Sequence, residues 1–421
     1  MPEKFLIKGG KKLQGEVAIS GYKNSAGAIL AATLLSSEEF LIDNLPQSSD
    51  ILNQLTILKQ MGSQIEWLNP HCIKIRNQQI DPEKIPEELF EKIRLSILLI
   101  GPLLARFKTI KIPHPGGDRI GLRPIVTHLA ALKSLGIKVE TENNYYHLSR
   151  PDYFQTQRLV LNEFSVTATE ILMMLAANNE GTIKIELAAT EPQVQDLGIF
   201  LQKMGATIDG LGTHTLTIKG KKSLKGTTFS ICPDLLEAGT FLIALALTQG
   251  QGTLKNVNPD HLTMFLQKMK EIGVNFEIKP NEIIVKPSSK FQATKIQVLP
   301  YPGFPTDLQP QTSVILTQAQ GKSLIHEPLY ENRFQHLQEL KKMGADIELA
   351  DPHRALIFGP TELKGNKVNV SDIRSGAALV LAGLIAQETT LIENIAQIER
   401  GYEKFDEKLK NLGAAIEKIT V

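Results

Sequence analysis

The sequence predicts an α/β protein assembled from six copies of one unit, three to a domain. The first observation is a short pattern that recurs as LKQMGSQIE, LKSLGIKVE, LQKMGATID, MKEIGVNFE, LKKMGADIE and LKNLGAAIE. Its glycines, Gly62, Gly136, Gly205, Gly273, Gly344 and Gly413, fall about 70 residues apart, the regular spacing of repeated supersecondary units. The second is a stretch that is apolar on nearly every face and keeps the same period: AGAILAATLL, SILLIGPLLA, ATEILMMLAA, AGTFLIALAL, TSVILTQA and GAALVLAGLIA. Six units account for the 421 residues, and three make a domain of ordinary size.

Each element of the unit has a physical reason. Leu with Met or Leu at helical spacing closes an amphipathic helix, and the Gly that follows takes the left-handed C′ position that a Cβ would strain. The next residues alternate apolar and polar, the period of a half-buried strand. Helices without a polar face are buried. Several of them run into a turn and a strand start, such as EGTIKI, QGTLKN or ETTLIE. The unit therefore reads strand, buried helix, strand, amphipathic helix, strands.

Composition removes several classes. Lys+Arg 46 against Asp+Glu 45 leaves a net charge of +1, with no global field for nucleic acid or an anionic membrane. Cys72 and Cys232 form neither a disulfide framework nor a zinc spacing, and the nine histidines show no HxxH or HxxxH pair. The runs FLIALAL and ALVLAGLIA fall short of the roughly 20 residues of a membrane span, and MPEKFLIKGGKK lacks a signal-peptide core. A soluble cytoplasmic protein is expected, with no nucleic-acid partner and no membrane insertion.

The residues in front of the buried helices are unusual. They are Lys23 and Asn24, Arg94, Ser165, Asp234, Asp307, and Asp372 with Arg374. Ser165, Asp234, Asp307 and Asp372 are good N-cap types, and capping alone explains any one of them. Lys23, Arg94 and Arg374 oppose the helix dipole, so they need another reason, and a bound anion supplies one. If equivalent points of the repeats share one face, these helix starts converge on a cleft. Three irregular segments add charge. KIPHPGGDRIGLRP carries Asp118, Arg119 and Arg123 on a glycine-rich loop suited to close over a substrate. YPGFPTDLQ ends in Asp307, and IERGYEKFDEKL places Arg400 before Gly401.

Taken together, SGYKNSAGA, PGGDRIGLRP, FPTDLQ, ENRF, SDIRSGAALVLAG and ERGYEKFDEKL resemble the UDP-N-acetylglucosamine 1-carboxyvinyltransferases of the enolpyruvyl transferase family. The resemblance runs over essentially the full chain. It implies a two-domain inside-out α/β barrel of six βαβαββ repeats, helices inside and sheets outside. Residues 1–22 with 233–421 would form one domain, and 23–232 an inserted one carrying the lid loop 111–124. The implied reaction moves the enolpyruvyl group of phosphoenolpyruvate to the 3′-hydroxyl of UDP-N-acetylglucosamine by addition and elimination, the first committed step of peptidoglycan precursor synthesis. It needs no cofactor and no metal, and it leaves the oligomeric state open.

The resemblance also implies roles. Lys23, Arg123 and Arg400 would grip phosphoenolpyruvate, and charge-assisted bonds suit that work. Asn24 would bind the amino sugar, Leu329 would contact it, and Asp307 would be the general base. Arg94 and Arg374 would line the cleft, with Asp372 orienting them. Arg123 and Pro124 would hold the uridine end. Ser165, the Val166 backbone and Thr169 would face the diphosphate.

This sequence departs from the family's pattern at four places. The lid cysteine is replaced by Asp118, expected as the general acid; without a thiol, fosfomycin cannot alkylate the lid. Glu163 stands where a lysine is usual, and Arg158 is a possible compensation. Thr167 replaces a common glycine, and Val126 stands where an acidic residue near the uracil is usual. A 5-enolpyruvylshikimate-3-phosphate synthase would show a different first motif and no such lid. The nucleotide-half departures leave a second reading, a catalytically reduced paralogue that binds a nucleotide sugar or phosphoenolpyruvate as a sensor.

Overall fold

The computed structural model describes residues 3–117, 120–122 and 124–420. The chain forms two compact units. The terminal unit is Met1–Ser20, Asp118–Leu122 and Pro233–Val421; the inserted unit is Gly21–Gly117 with Arg123–Cys232. Residues 120–122 group with the terminal unit although they lie within the inserted stretch of sequence.

The terminal unit carries three sheets. Strand Glu3–Lys8 lies between Thr389–Glu393 and Ala415–Thr420, with Lys367–Asn369 at the edge. The N-terminal strand thus completes the last repeat. A second sheet runs Phe276–Lys279, Glu282–Val285, Gln251–Lys255, Gln14–Ala18. The third is built on Ala319–His326, Arg354–Gly359 and Asp346–Asp351, with the short strands Phe291–Gln292 and Lys295–Gln297 parallel to the first of these. In the first two sheets one pair is parallel and the rest antiparallel, and in the third both short strands are parallel to Ala319–His326 while the other pairs are antiparallel, the wiring of a βαβ crossover followed by a hairpin.

The inserted unit repeats this wiring with one exception. Its sheets run Thr207–Asp209, Thr215–Lys219, Thr182–Glu186, Gln157–Val160 and Thr228–Ser230, Glu39–Asp43, Cys72–Arg76, Gln64–Asn69. The third has only Thr109–Pro113, Tyr145–Ser149 and Lys138–Glu142. Among the described residues this sheet lacks the parallel strand that the other repeats carry. Its place in the sequence is taken by a turn, Pro82–Lys84, and a short helix, Glu87–Lys92. Pro82 and Pro86 cannot donate to a ladder, and Asp81 caps the turn by accepting from the Glu83 N–H at 3.0 Å.

The apolar stretches are the buried helices: Lys23–Thr33, Val166–Ala177, Leu235–Leu247 and Ile373–Ile385, with two that begin as 3₁₀ turns, Arg94–Leu99 into Ile100–Arg106 and Thr306–Leu308 into Gln309–Thr317. Several of their hydroxyls return to carbonyls one turn back, as Thr33 does to Leu30 and Thr312 to Leu308. The amphipathic helices end at the six repeated glycines, whose φ values run from +80° to +113°, as the repeat pattern requires.

Close approach positions the site elements. A Cβ on Gly239, in helix Leu235–Leu247, would come 2.6 Å from Leu308, the neighbour of Asp307. Glycine at 239 is therefore what lets the Asp307 turn lie against that helix.

Candidate active site

In the terminal unit the site is built around Asp307. Pro305 precedes the turn Thr306–Leu308 and Pro310 opens the helix after it, so Asp307 lies inside the first turn, not at the cap. Its side chain is 30% exposed. Arg333 Nη2 donates to Oδ1 at 2.6 Å, and Arg374 Nε donates to Oδ2 at 3.1 Å. Both arginines are buried. Arg333 also lies 3.7 Å from Asp372. The Arg374 guanidinium carbon stands 5.3 Å from the centre of the Tyr402 ring.

The other aspartates have different work. Asp234 accepts from the Leu236 and Glu237 N–H groups at 2.7 and 3.1 Å, and burial pushes its carboxyl up to about 6, against the pull of Arg374. Asp372 accepts from the N–H groups of Arg374 and Ser375 at 2.9 and 3.2 Å and from the Ser375 hydroxyl. It caps the helix at the Arg374 backbone, while the guanidinium goes to Asp307. Three helix starts of one unit are thus brought together.

Around them, Glu327 is buried, accepts from Thr306 Oγ1 at 2.7 Å and from the Leu329 N–H at 3.1 Å, and is raised by that burial. Leu329 is 41% exposed. Buried His336 meets Ser313 Oγ at 2.9 Å, and desolvation lowers it to about 3. Arg400 is half-buried and donates to Gln397 Oε1 at 2.9 Å. The Leu122 N–H donates to Glu331 Oε1 at 2.9 Å and the Asn332 N–H donates to the Ile120 carbonyl at 3.1 Å, so lid residues rest on the segment that carries Arg333.

In the inserted unit, Lys23 opens its helix behind Tyr22 and is 7% exposed. Its Nζ lies 3.1 Å from Asp50 Oδ2, on a side chain 2% exposed. Part of the reason for a lysine at this helix start is therefore internal: Asp50 is the anion. Asn24 Nδ2 donates to the Tyr22 hydroxyl at 3.1 Å. Arg94 begins its turn half-buried, and its charge acts on Tyr146, a phenol that burial raises. His114, at the root of the lid, stacks on Tyr146 with ring centres 4.2 Å apart. Gly116 leaves no room for a side chain, since a Cβ would fall 1.5 Å from the Glu91 carbonyl oxygen.

Ser165 caps helix Val166–Ala177, accepting from the Ala168 N–H at 3.4 Å. Thr169, expected from the resemblance to face the diphosphate, turns its hydroxyl inward. It is fully buried, its hydroxyl donates to the Ser165 carbonyl at 2.8 Å and accepts from the Ala189 N–H at 3.0 Å, so it holds the helix start together. Arg158 is paired across the strand with Glu186 at 2.6 Å. Pro124 is exposed. Asp118, Arg119 and Arg123 lie outside the described residues.

Sequence reasoning missed Arg333 and Asp50. ENRF contains Arg333, but its neighbour Leu329 drew the attention. Asp50 reads locally as an ordinary acid in the first turn of Ser49–Gln60.

The sequence matches the EPSP synthase (3-phosphoshikimate 1-carboxyvinyltransferase) family over residues 7–409. It is 41% identical to the UDP-N-acetylglucosamine 1-carboxyvinyltransferase of Thermotoga petrophila, with 99% of each chain covered. It is 43% identical to UDP-N-acetylglucosamine 1-carboxyvinyltransferase 1 of Carboxydothermus hydrogenoformans, over 99% of this chain and 98% of that one. Among solved structures, the enolpyruvyl transferase NikO from Streptomyces tendae superposes with a TM-score of 0.91 at 23% identity, covering 100% of this chain and 99% of that one. EPSP synthase from Acinetobacter baumannii superposes with 0.74 at 17%, covering 100% of each. The fold is the two-domain inside-out α/β barrel, and the chain belongs to the enolpyruvyl transferase family, in the company of the UDP-N-acetylglucosamine 1-carboxyvinyltransferases.

Proposed function

We infer that this chain is a transferase that moves the enolpyruvyl group of phosphoenolpyruvate to the 3′-hydroxyl of UDP-N-acetylglucosamine and releases phosphate. Its product would enter peptidoglycan precursor synthesis. The observation that carries the reading is the Asp307 carboxylate, part exposed and held on both oxygens by buried arginines. A carboxylate so oriented suits a general base, because its direction is set before the substrate hydroxyl arrives.

The steps follow from charge. Asp118 protonates the vinyl CH2. Asp307 takes the 3′-hydroxyl proton as that oxygen bonds to the cationic carbon, giving a phosphate-bearing ketal. Loss of a methyl proton and of phosphate then yields the enol ether. Lys23, Arg123 and Arg400 neutralise the phosphate and carboxylate, with Arg94 and Arg374 setting the cationic wall. Asn24 and Leu329 hold the sugar, and Ser165 and the Val166 N–H meet the diphosphate. Displacing the Asp50 carboxylate from Lys23, or sharing the lysine with it, is part of phosphoenolpyruvate binding.

The experiment is phosphate release from phosphoenolpyruvate with and without UDP-N-acetylglucosamine, for the wild type and Asp307→Asn. Sugar-dependent release that Asp307→Asn abolishes is expected. No sugar-dependent release by the wild type would instead favour a binding protein without turnover.

A further inference from the structure

One buried acid beside Asp307 takes no part in the proton transfers of the reaction. Glu327 follows strand Ala319–His326 and is fully buried. The neighbouring hairpin fixes its backbone on both sides: its N–H donates to the His353 carbonyl at 2.8 Å, and its carbonyl meets His353 Nδ1 at 2.8 Å. The side chain has two hydrogen-bond partners among the described residues. Oε2 accepts from Thr306 Oγ1 at 2.7 Å, and Oε1 accepts from the Leu329 N–H at 3.1 Å. Buried carboxyls are ordinarily paired with a cation. The Arg333 guanidinium, whose charge reaches this carboxyl, donates instead to Asp307 Oδ1 at 2.6 Å and to the Thr306 carbonyl at 3.4 Å.

The two partners lie in the two segments that shape this part of the site. Thr306 opens the turn Thr306–Leu308, so its neighbour is the Asp307 carboxylate. Leu329 begins the stretch that runs to Arg333 through Glu331 and Asn332, on which Leu122 and Ile120 rest. Each oxygen of Glu327 therefore holds one segment. Together with the Arg333 contacts, it grips the turn at the Thr306 hydroxyl, the Thr306 carbonyl and the Asp307 carboxylate. A carboxylate has acceptors for both arms at once, and burial keeps water from replacing either. We propose that Glu327 is a positioning residue: through Thr306 it fixes the direction of Asp307, and through the Leu329 N–H it fixes the sugar contact in step with it. The work is one of geometry. Glutamine can do it, because its carbonyl oxygen takes the Leu329 N–H while its amide donates to Thr306 Oγ1. The inference rests on the UDP-N-acetylglucosamine reading above.

The test is steady-state kinetics of the full chain with both substrates, beside urea unfolding of the same proteins. Glu327→Ala releases both arms. It is expected to lower kcat about 10–100-fold, as a misdirected base does, and to raise KM for the nucleotide sugar about fivefold. KM for phosphoenolpyruvate stays within about twofold. Thr306→Val cuts only the base arm, so kcat falls while KM for the nucleotide sugar does not move. Glu327→Gln recovers kcat to within about threefold of the wild type. A merely structural role would lower stability and leave the kinetics of the folded protein where they were. Wild-type kcat in folded Glu327→Ala or in Thr306→Val therefore overturns the proposal. Glu327→Gln as slow as Glu327→Ala overturns it too, by assigning the effect to charge. If Glu327→Ala does not fold, Thr306→Val and Glu327→Gln carry the test. A wild type without sugar-dependent phosphate release would defeat the activity reading. The clamp is then read by the unfolding cycle of Glu327→Ala, Thr306→Val and the double variant, where coupled losses support it and strictly additive ones overturn it.

Discussion

At the residue scale, three aspartates at three helix starts in one unit do unlike work. Asp234 and Asp372 each turn one oxygen to two helix N–H groups. Asp307 spends both of its oxygens on arginines and keeps 30% of its side chain in solvent. Replacing it by Asn keeps the size and removes the basicity, so kcat is expected to fall by about 10²–10⁴, and the thermal midpoint to fall as well because buried Arg333 and Arg374 lose their carboxylate partner. Lys23 and Asp50 form a buried pair. Asp50→Ala strands a buried ammonium and is expected to destabilise the inserted unit by about 3–5 kcal/mol, whereas the double variant Lys23→Ala/Asp50→Ala recovers part of that loss. Denaturant titration of the four proteins measures the coupling; strictly additive losses would mean the pair does not interact. Asp118 has no thiol to alkylate. Wild-type activity is therefore expected to survive fosfomycin, while Asp118→Cys becomes irreversibly inactivated; covalent label on Asp118 itself would contradict this.

At the element scale, the helices of the terminal unit meet through small residues and buried polar contacts. Gly239 faces Leu308 so closely that a methyl group must push the Asp307 turn away. Gly239→Ala is expected to cost about 1–3 kcal/mol and to lower kcat as well, measured by urea unfolding and steady-state kinetics. His336 in helix Gln335–Lys342 is buried and held neutral, its ionisation lowered to about 3 by desolvation. The unfolded chain takes up this proton near pH 6.5 and the folded one only near 3, so its contribution is full above about pH 6.5 and is lost as pH falls toward 3. Replacing His336 by Asn is expected to remove about one proton's worth of slope from stability against pH in that window. An unchanged slope would mean that another group dominates. Asp234, raised to about 6, acts with the opposite sign between about 3.8 and 6, so the comparison must be made between variants at each pH.

At the scale of the whole molecule, most of the architecture was legible in the chain. Gly62, Gly136, Gly205, Gly273, Gly344 and Gly413 all take positive φ because the same helix end recurs in each repeat. The buried helices lie where the all-apolar stretches are. What the repeat pattern concealed was its breach: in the second repeat of the inserted unit two prolines and a run of acids replace a parallel strand with a turn and a short helix. Among candidate site residues, Lys23, Asp307 and Arg374 stood out because their types conflict with a plain helix start. Arg333, Asp50 and the spent hydroxyl of Thr169 did not. Nothing in ENRF or in SSDIL says which carboxylate or ammonium each will meet.

The difference is one of range. A helix end, an apolar face or a two-residue alternation is determined by neighbours within a few residues, so the sequence by itself determined the repeat, the buried helices and the family. The pairing of Arg333 with Asp307 spans 26 residues, and that of Glu163 with Thr127 spans 36. Which charge meets which across such distances depends on how helices and loops pack, and only the tertiary structure decided it.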